Sequence, residues 1–200
     1  MSSSLDTDAP PEDRPDTATR ILDCAQARIQ RRGYNAVSYG DLAEELDLTT
    51  AAIHYHFPSK ADLVQTLVRR YRRRNAETRA TICEEADTLR ARLDRYVALF
   101  ADVIDGGGLC LCGVLAADGP TLPTEVRREV RQFFAEQEDW LTDVLEAGAP
   151  TRTGLSGCDT PREEARLLLA ALEGAMITAP ERSAGPYVDT LQRLVDSVVT

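Results

Sequence analysis

The chain has very little histidine. His54 and His56 are the only two histidines in 200 residues, and they stand two positions apart. The sequence around them has no nucleophile paired with a base, no phosphate-binding glycine loop and no metal-ligand spacing. It therefore argues against an enzyme, and it predicts neither a metal site nor a cofactor.

Long apolar runs are also missing. No stretch approaches the roughly 20 apolar residues that a membrane-spanning helix needs. Residues 1–16 (MSSSLDTDAPPEDRPD) are acidic and lack the apolar segment of a secretory signal, so we expect a cytoplasmic protein without a membrane partner. Five cysteines at irregular spacings form no disulfide framework, and we expect them mostly as thiols.

Strand-like alternation of polar and apolar residues is absent, and apolar residues recur at helical spacing instead. This pattern predicts an all-α chain of about nine helices, the first capped by Thr17 or Thr19. Residues 1–16 cannot bury apolar surface and are expected to be a disordered acidic arm. Outside the motif described next, helices are predicted at 17–33, 59–83, 87–105, 109–119, 123–148, 161–180 and 186–200.

The motif lies at residues 38–60, SYGDLAEELDLTTAAIHYHFPSK. Ser38 can cap a first short helix, and Asp47 stands where the chain must turn sharply, which Asp tolerates in a left-handed conformation. Thr49 or Thr50 then begins a second helix, which ends before Pro58. Ile53 and Phe57, at i and i+4, are its inward anchors. The outer face is small, hydroxylated or imidazole-bearing, as a helix that enters a major groove can be.

Net charge supports the same interpretation. The whole chain carries −10, and residues 75–200 alone carry −10, but residues 17–74 hold ten bases and six acids and so carry +4. The only positive segment thus contains the motif, as phosphate binding requires. Five arginines after the motif are either a solvated face or an addition to the field near DNA; they are Arg69, Arg70, Arg72, Arg73 and Arg74.

The motif resembles the helix-turn-helix of TetR-type transcriptional repressors, above all in His56–Lys60 (HFPSK), with Asp47 in place of the usual turn glycine. The resemblance implies a three-helix DNA-binding head at 17–62 and a helical ligand-binding and dimerisation body at 63–200. In it, Ser38, Tyr39 and Lys60 hold phosphates, and the second helix faces the groove or its rim. The implied DNA-binding residues are Ser38, Tyr39, Thr49, Thr50, Ala51, Ala52, His54, Tyr55, His56 and Lys60.

The body carries two further expectations. The helix at 161–180 is apolar on more than one face and must therefore be buried on several sides. The resemblance implies that the last two helices form a homodimer interface, a plain core helix being the alternative. Aromatic and sulfur-bearing residues on inward faces are either core or effector pocket. The pocket candidates are Tyr96, Phe100, Cys110, Cys112, Phe133, Phe134, Trp140 and Met176.

Cys110 and Cys112 lie in GLCLCG, at a spacing that suits neither a disulfide within one helix nor zinc. The segment is similar to that of a TetR subgroup that includes the N-ethylmaleimide and acrylate repressors, which implies a cysteine that reacts with electrophiles at Cys110. A helix N-terminus after the glycine run would lower the pKa of that thiol. The alternative is two buried thiols in a pocket wall.

These observations favour a homodimeric repressor that binds a pseudo-palindromic operator in double-stranded DNA and is released by a small-molecule or electrophile effector. The alternative is a thiol-based sensor that acts through a protein partner without reading an operator. Asp47 and the lack of arginine in the second motif helix are its only support.

Overall fold

The structure, a computed structural model, describes residues 16–148, 154–179 and 184–199. The predicted arm, except Asp16, and the first half of the predicted loop at 149–160 lie outside the described residues. Within them the chain forms nine α-helices and one 3-10 turn, without strands, which confirms the all-α prediction. The helices are α1 (Thr17–Arg32), α2 (Tyr39–Leu46), α3 (Thr50–His56), α4 (Lys60–Glu85), α5 (Leu89–Asp105), α6 (Leu111–Ala117), α7 (Thr124–Ala147), α8 (Pro161–Thr178) and α9 (Ala184–Val199).

The ends of the first helices follow from their capping residues. The prediction that Thr17 or Thr19 caps α1 is wrong, because the Asp16 side chain accepts from the Thr19 amide and makes Asp16 the cap. Ser38 caps α2 as predicted and shares a capping box with Asp41. Asp47 ends α2 in the left-handed conformation (φ 53°, ψ 50°).

Helices α1–α3 and the start of α4 form the head. Apolar side chains from each of these helices meet inside it, and all are fully buried; they are Ile21, Ile29, Leu42, Ile53 and Leu63. Beyond the head, α4 lies along α7, α5 packs on α9 and α7 packs on α8. The predicted boundary at residue 62 falls inside α4, so one continuous helix joins the head to the rest of the chain.

A second connection joins the head to α6. The Gln30 side-chain amide donates to the Leu109 carbonyl (2.8 Å), and the Tyr34 backbone amide donates to Asp118 Oδ2 (2.7 Å). Asn35 also donates to the Thr121 hydroxyl (3.0 Å). The end of α1 is therefore held by hydrogen bonds to both ends of α6. None of the helices in the described ranges is both long and apolar enough to cross a membrane.

Candidate nucleic-acid interface and effector pocket

Helix α3 presents a small polar face to solvent. Ile53 is fully buried and Phe57 is 6% exposed, so these anchors fix the rotation of the helix on the head, as predicted. Thr50, Ala51, His54, Tyr55 and His56 are exposed, and Ala52 is half-buried. Tyr55 is 85% exposed, which is unusual for an aromatic side chain and leaves its ring without a hydrophobic contact surface.

His54 is held in a defined orientation. Its ring lies edge-on to Tyr39, with 4.6 Å between ring centroids, and its Nδ1 lies 3.2 Å from the Pro58 carbonyl oxygen. A carbonyl oxygen can only accept, so Nδ1 carries the proton in this contact and Nε2 is an acceptor in the neutral ring. His54 is therefore positioned as a hydrogen-bond acceptor on the outer face of α3.

The hydroxyl groups of the predicted interface already make intramolecular hydrogen bonds. Ser38 Oγ donates to Asp41 Oδ2 (2.6 Å), and the Tyr39 hydroxyl donates to the Phe57 carbonyl (2.8 Å). Burial raises the pKa of Tyr39 to about 12. Thr49 Oγ1 accepts from the Ala52 amide (3.1 Å) and keeps its own proton for a phosphate. The Ser38 amide also donates to Asp41 Oδ2 (2.9 Å), so a phosphate contact by Ser38 would require an exchange of these bonds, and one by Tyr39 its backbone amide or such an exchange.

Lys60, the only lysine of the chain, stands at the start of α4. Its Nζ lies 4.0 Å from the centroid of the Tyr34 ring, a cation–π contact that fixes the charge beside the head. Burial lowers the pKa of Lys60, while Asp118 and Asp41 oppose that effect. The Lys60 ammonium group, the predicted phosphate contact, is therefore half-buried and held in a defined orientation.

Three of the five arginines singled out in the sequence bind carboxylates of neighbouring helices. Arg69 Nε lies 2.9 Å from Glu129, Arg72 pairs with both Glu129 and Glu136, and Arg70 pairs with Asp23 of α1 (2.7 Å). Arg73 pairs with Glu77 within α4 at 3.7 Å, and Arg74 is exposed. The expectation of a solvated basic face is therefore wrong for Arg70 and Arg72, whose ion pairs hold α4 against α1 and α7.

A pocket of about 280 Å³ lies where the end of α1 meets α6 and α8. Of the eight predicted effector residues, it brings together Cys110 and Met176. The remaining lining residues come from the same three places; they are Gly33, Leu109, Gly113, Val114, Ala117, Asp118, Glu173 and Ile177. The pocket therefore touches both the head and the segment that hydrogen-bonds to it.

The other six predicted effector residues do not line this pocket. Cys112 is fully buried in α6. Tyr96 packs on Phe100 and Trp140 with ring centroids 5.3 and 4.8 Å away, and Phe133 packs on Phe134 at 5.3 Å. Tyr96, Phe100 and Trp140 pack between α5 and α7, and Phe133 also packs on Tyr71 of α4 with ring centroids 5.5 Å apart, because inward-facing apolar residues of a helical body mostly pack as core.

Cys110 is the N-cap of α6, and its Sγ accepts from the Gly113 amide (3.4 Å). Burial nevertheless raises the pKa of this thiol well above its usual value, and the nearby Glu173 carboxylate raises it further. The predicted lowering of the pKa by the helix N-terminus is therefore wrong, because burial and a negative neighbour outweigh it. Cys110 is a protonated thiol at neutral pH.

Two acidic pocket residues were missing from the sequence-based set. Glu173 stands at i+4 from Leu169 and i−3 from Met176, two buried residues of α8, so a charged side chain on an inward stripe was the available signal. Asp118 follows directly after α6 and gave no signal, because its partner Tyr34 is 84 positions away.

These features define a helix-turn-helix transcriptional regulator: a three-helix head with an exposed second motif helix, carried on a helical body with a pocket. The family model of the bacterial regulatory proteins of the tetR family matches residues 21–67. A TetR-family transcriptional regulator from Agrobacterium tumefaciens is 35% identical and has a TM-score of 0.85, covering 92% of this chain and 97% of that one. The chain belongs to the TetR family.

Two further similarities extend over most of the chain. The nucleoid occlusion factor SlmA of Marinobacter nauticus is 27% identical over 165 residues, which cover 80% of this chain and 82% of that protein. The reduced form of E. coli NemR has a TM-score of 0.79 at 18% identity, over 92% of this chain and 98% of that one. At that identity the second similarity establishes a common fold.

Proposed function

We propose that this TetR-family regulator is a homodimeric repressor. It binds a pseudo-palindromic operator through α3 and leaves it when a small molecule occupies the pocket beside α6. The exposed face of α3, held by Ile53 and Phe57, is the observation that carries the proposal. Thr50, Ala51 and His54 suit base edges, and Tyr55 supplies an exposed ring for sugar or thymine methyl contacts.

The dimer is proposed through α8 and α9. Leu167 is 46% exposed and Ile177 is 69% exposed, and both lie on α8. Beside them, a groove between α8 and α9 is lined by small side chains, among them Ala171, Gly174 and Ala175. Large exposed apolar side chains next to a smooth groove support burial against a second copy of the same two helices.

The proposed release runs from the pocket to the head. Asp118 lines the pocket, accepts the Tyr34 amide hydrogen bond and adds to the field around Lys60. A ligand that binds more tightly when the Asp118–Tyr34 hydrogen bond is altered would favour a different position of the head. That change of position would lower operator affinity. Since Cys110 is buried and protonated, we favour a reversible ligand over an electrophile.

The conformation of Asp47 counts against the alternative of a thiol sensor that does not read DNA. Its left-handed backbone makes the turn that glycine usually makes, so α2 and α3 keep their arrangement. The test is titration of the protein against its own promoter region at moderate salt. Binding to that DNA clearly tighter than to scrambled DNA supports the proposal, and equal affinities contradict it.

A further inference from the structure

The pocket beside α6 has an unusual charge pattern. Its lining is apolar or small except for two carboxylates, Glu173 and Asp118, and none of the described residues that line it is basic. Asp118 already accepts a hydrogen bond from the Tyr34 amide.

The Glu173 side chain lines the pocket and is half-buried. Its Oε1 atom is buried without a hydrogen-bond partner, and its Oε2 lies so close to α6 that a methyl group at Gly113 would overlap it. Gly113 thus makes the room in which this carboxylate sits. The Cys110 thiol faces the same carboxylate.

A second buried polar group interacts with Glu173. The Tyr187 side chain is 2% exposed, and its hydroxyl has no hydrogen-bond partner. Burial raises the pKa of this hydroxyl, and Glu173 and Cys110 raise it further. Burial also raises the pKa of Tyr71 and Tyr96, and Glu173 raises it further, although none of the three tyrosines lines the pocket.

An unpaired buried carboxylate is costly, and a positive partner removes much of that cost. A carboxylate in an otherwise apolar space offers an organic ammonium group a counter-charge and apolar contacts for its carbon atoms. We propose that this pocket binds a small organic ammonium cation, with Glu173 as its counter-charge. The proposal rests on the proposed effector role of the pocket and names the chemical class of the effector.

The size of the pocket agrees with a small ligand. A volume of about 280 Å³ lies at the low end of the range for small-molecule sites. Asp118 belongs to the same lining and holds Tyr34, so a cation that also attracted Asp118 would compete for the charge that holds the head. Binding of the cation would then itself weaken the hydrogen bond between the Tyr34 amide and Asp118.

The test compares cations with neutral molecules of nearly the same shape, by calorimetry on the full chain without DNA. The pairs are choline with 3,3-dimethyl-1-butanol and benzylamine with benzyl alcohol. We expect at least one cation to bind about tenfold or more tightly than its neutral counterpart. In Glu173→Gln the preference should fall to about twofold or less, while Glu146→Gln, an exposed acid at the end of α7, should keep it.

Failure of this proposal is distinguishable from failure of the repressor function. If neither cation exceeds its neutral counterpart, or if Glu173→Gln keeps the preference, the cation site is wrong. Circular dichroism of Glu173→Gln checks that the variant is folded. Operator binding is measured separately, so a protein that binds the cation but no operator contradicts the repressor function alone.

Discussion

Glu173 is the residue whose protonation is most strongly tied to the fold. Burial raises the pKa of its carboxyl above the usual value, and the Cys110 thiol opposes that rise. The other titratable groups near it are Cys110, Tyr71, Tyr96 and Tyr187, whose pKa values burial raises as well, so all of them stay neutral at pH 7. Among these groups, Glu173 is therefore the one whose ionisation would place a negative charge in the cluster.

Glu173→Gln should stabilise the protein at neutral pH. A carboxyl whose folded pKa is raised binds its proton more tightly in the folded state, so its contribution to stability is present below the unfolded pKa and is lost as pH rises through the folded value. Gln does not ionise, so we expect a gain of about 1 kcal/mol or more at pH 8 and a smaller one at pH 5. Urea unfolding at both values measures it, and a gain larger at pH 5 would contradict this assignment.

The cysteines should differ in reactivity according to burial. Cys110 and Cys112 are 2% and 0% exposed, and burial raises the pKa of both thiols well above the usual value. Cys83 and Cys158 are partly exposed. Iodoacetamide should therefore label Cys83 and Cys158 first, as peptide mass spectrometry of a time course will show. Labelling of Cys110 ahead of both would restore the electrophile-sensor interpretation.

At the scale of helices, the ion pairs between α4 and α7 connect the exit of the head to the body. Glu129 is 5% exposed; burial opposes its ionisation, but Arg69 and Arg72 hold its pKa below the usual value. Arg69 and Arg72 lie on α4, which begins in the head. Their ion pairs with Glu129 therefore both stabilise the fold and hold α4 in position relative to α7.

Glu129→Ala should destabilise the fold by about 1–3 kcal/mol, because it leaves Arg72 half-buried without this partner. The matched control is Glu77→Ala, which removes the exposed pair with Arg73 and should cost about 0.5 kcal/mol or less. Urea unfolding of both variants decides the matter. Equal effects of the two substitutions would show that the α4–α7 pairs add nothing.

Local signals in the sequence predicted the helices well, and distant partners set the limits of that prediction. Ser38 and Asp47 act on neighbours a few positions away, so their roles could be inferred from the chain alone. Arg70 and Arg72 looked solvated because Asp23, Glu129 and Glu136 are 47 or more positions away. The pocket was predicted from aromatic residues, but it lies where α1, α6 and α8 meet, and tertiary packing alone determines that place.

At the scale of the whole molecule, the proposed dimer depends on the exposed apolar residues of α8. Leu167→Glu should convert the dimer to monomers, because it places a charge where the second copy would cover an apolar side chain. Light scattering during gel filtration measures the mass. Ala135→Glu, on an exposed position of α7, is the control and should stay dimeric. A monomeric parent protein, or a dimeric Leu167→Glu variant, would contradict the proposed interface.

We propose that Lys60 and α3 contribute differently to DNA binding. Lys60 places an oriented charge beside the head, where it would meet a phosphate whatever the sequence. His54 presents an oriented acceptor, and Thr50 a hydroxyl, where base edges would lie. Affinity for any DNA should thus depend on Lys60, and choice among sequences on Thr50 and His54.

The most direct measurement is fluorescence anisotropy of the protein with operator DNA and with scrambled DNA, for the parent, Lys60→Met and His54→Ala. We expect Lys60→Met to weaken binding to both DNAs by a similar factor and to leave their ratio nearly unchanged. His54→Ala should lower the ratio about tenfold, which corresponds to about 1.4 kcal/mol, mainly through the operator. The proposal is contradicted if both substitutions change the ratio of operator affinity to scrambled-DNA affinity equally. It is also contradicted if that ratio is near one for the parent protein.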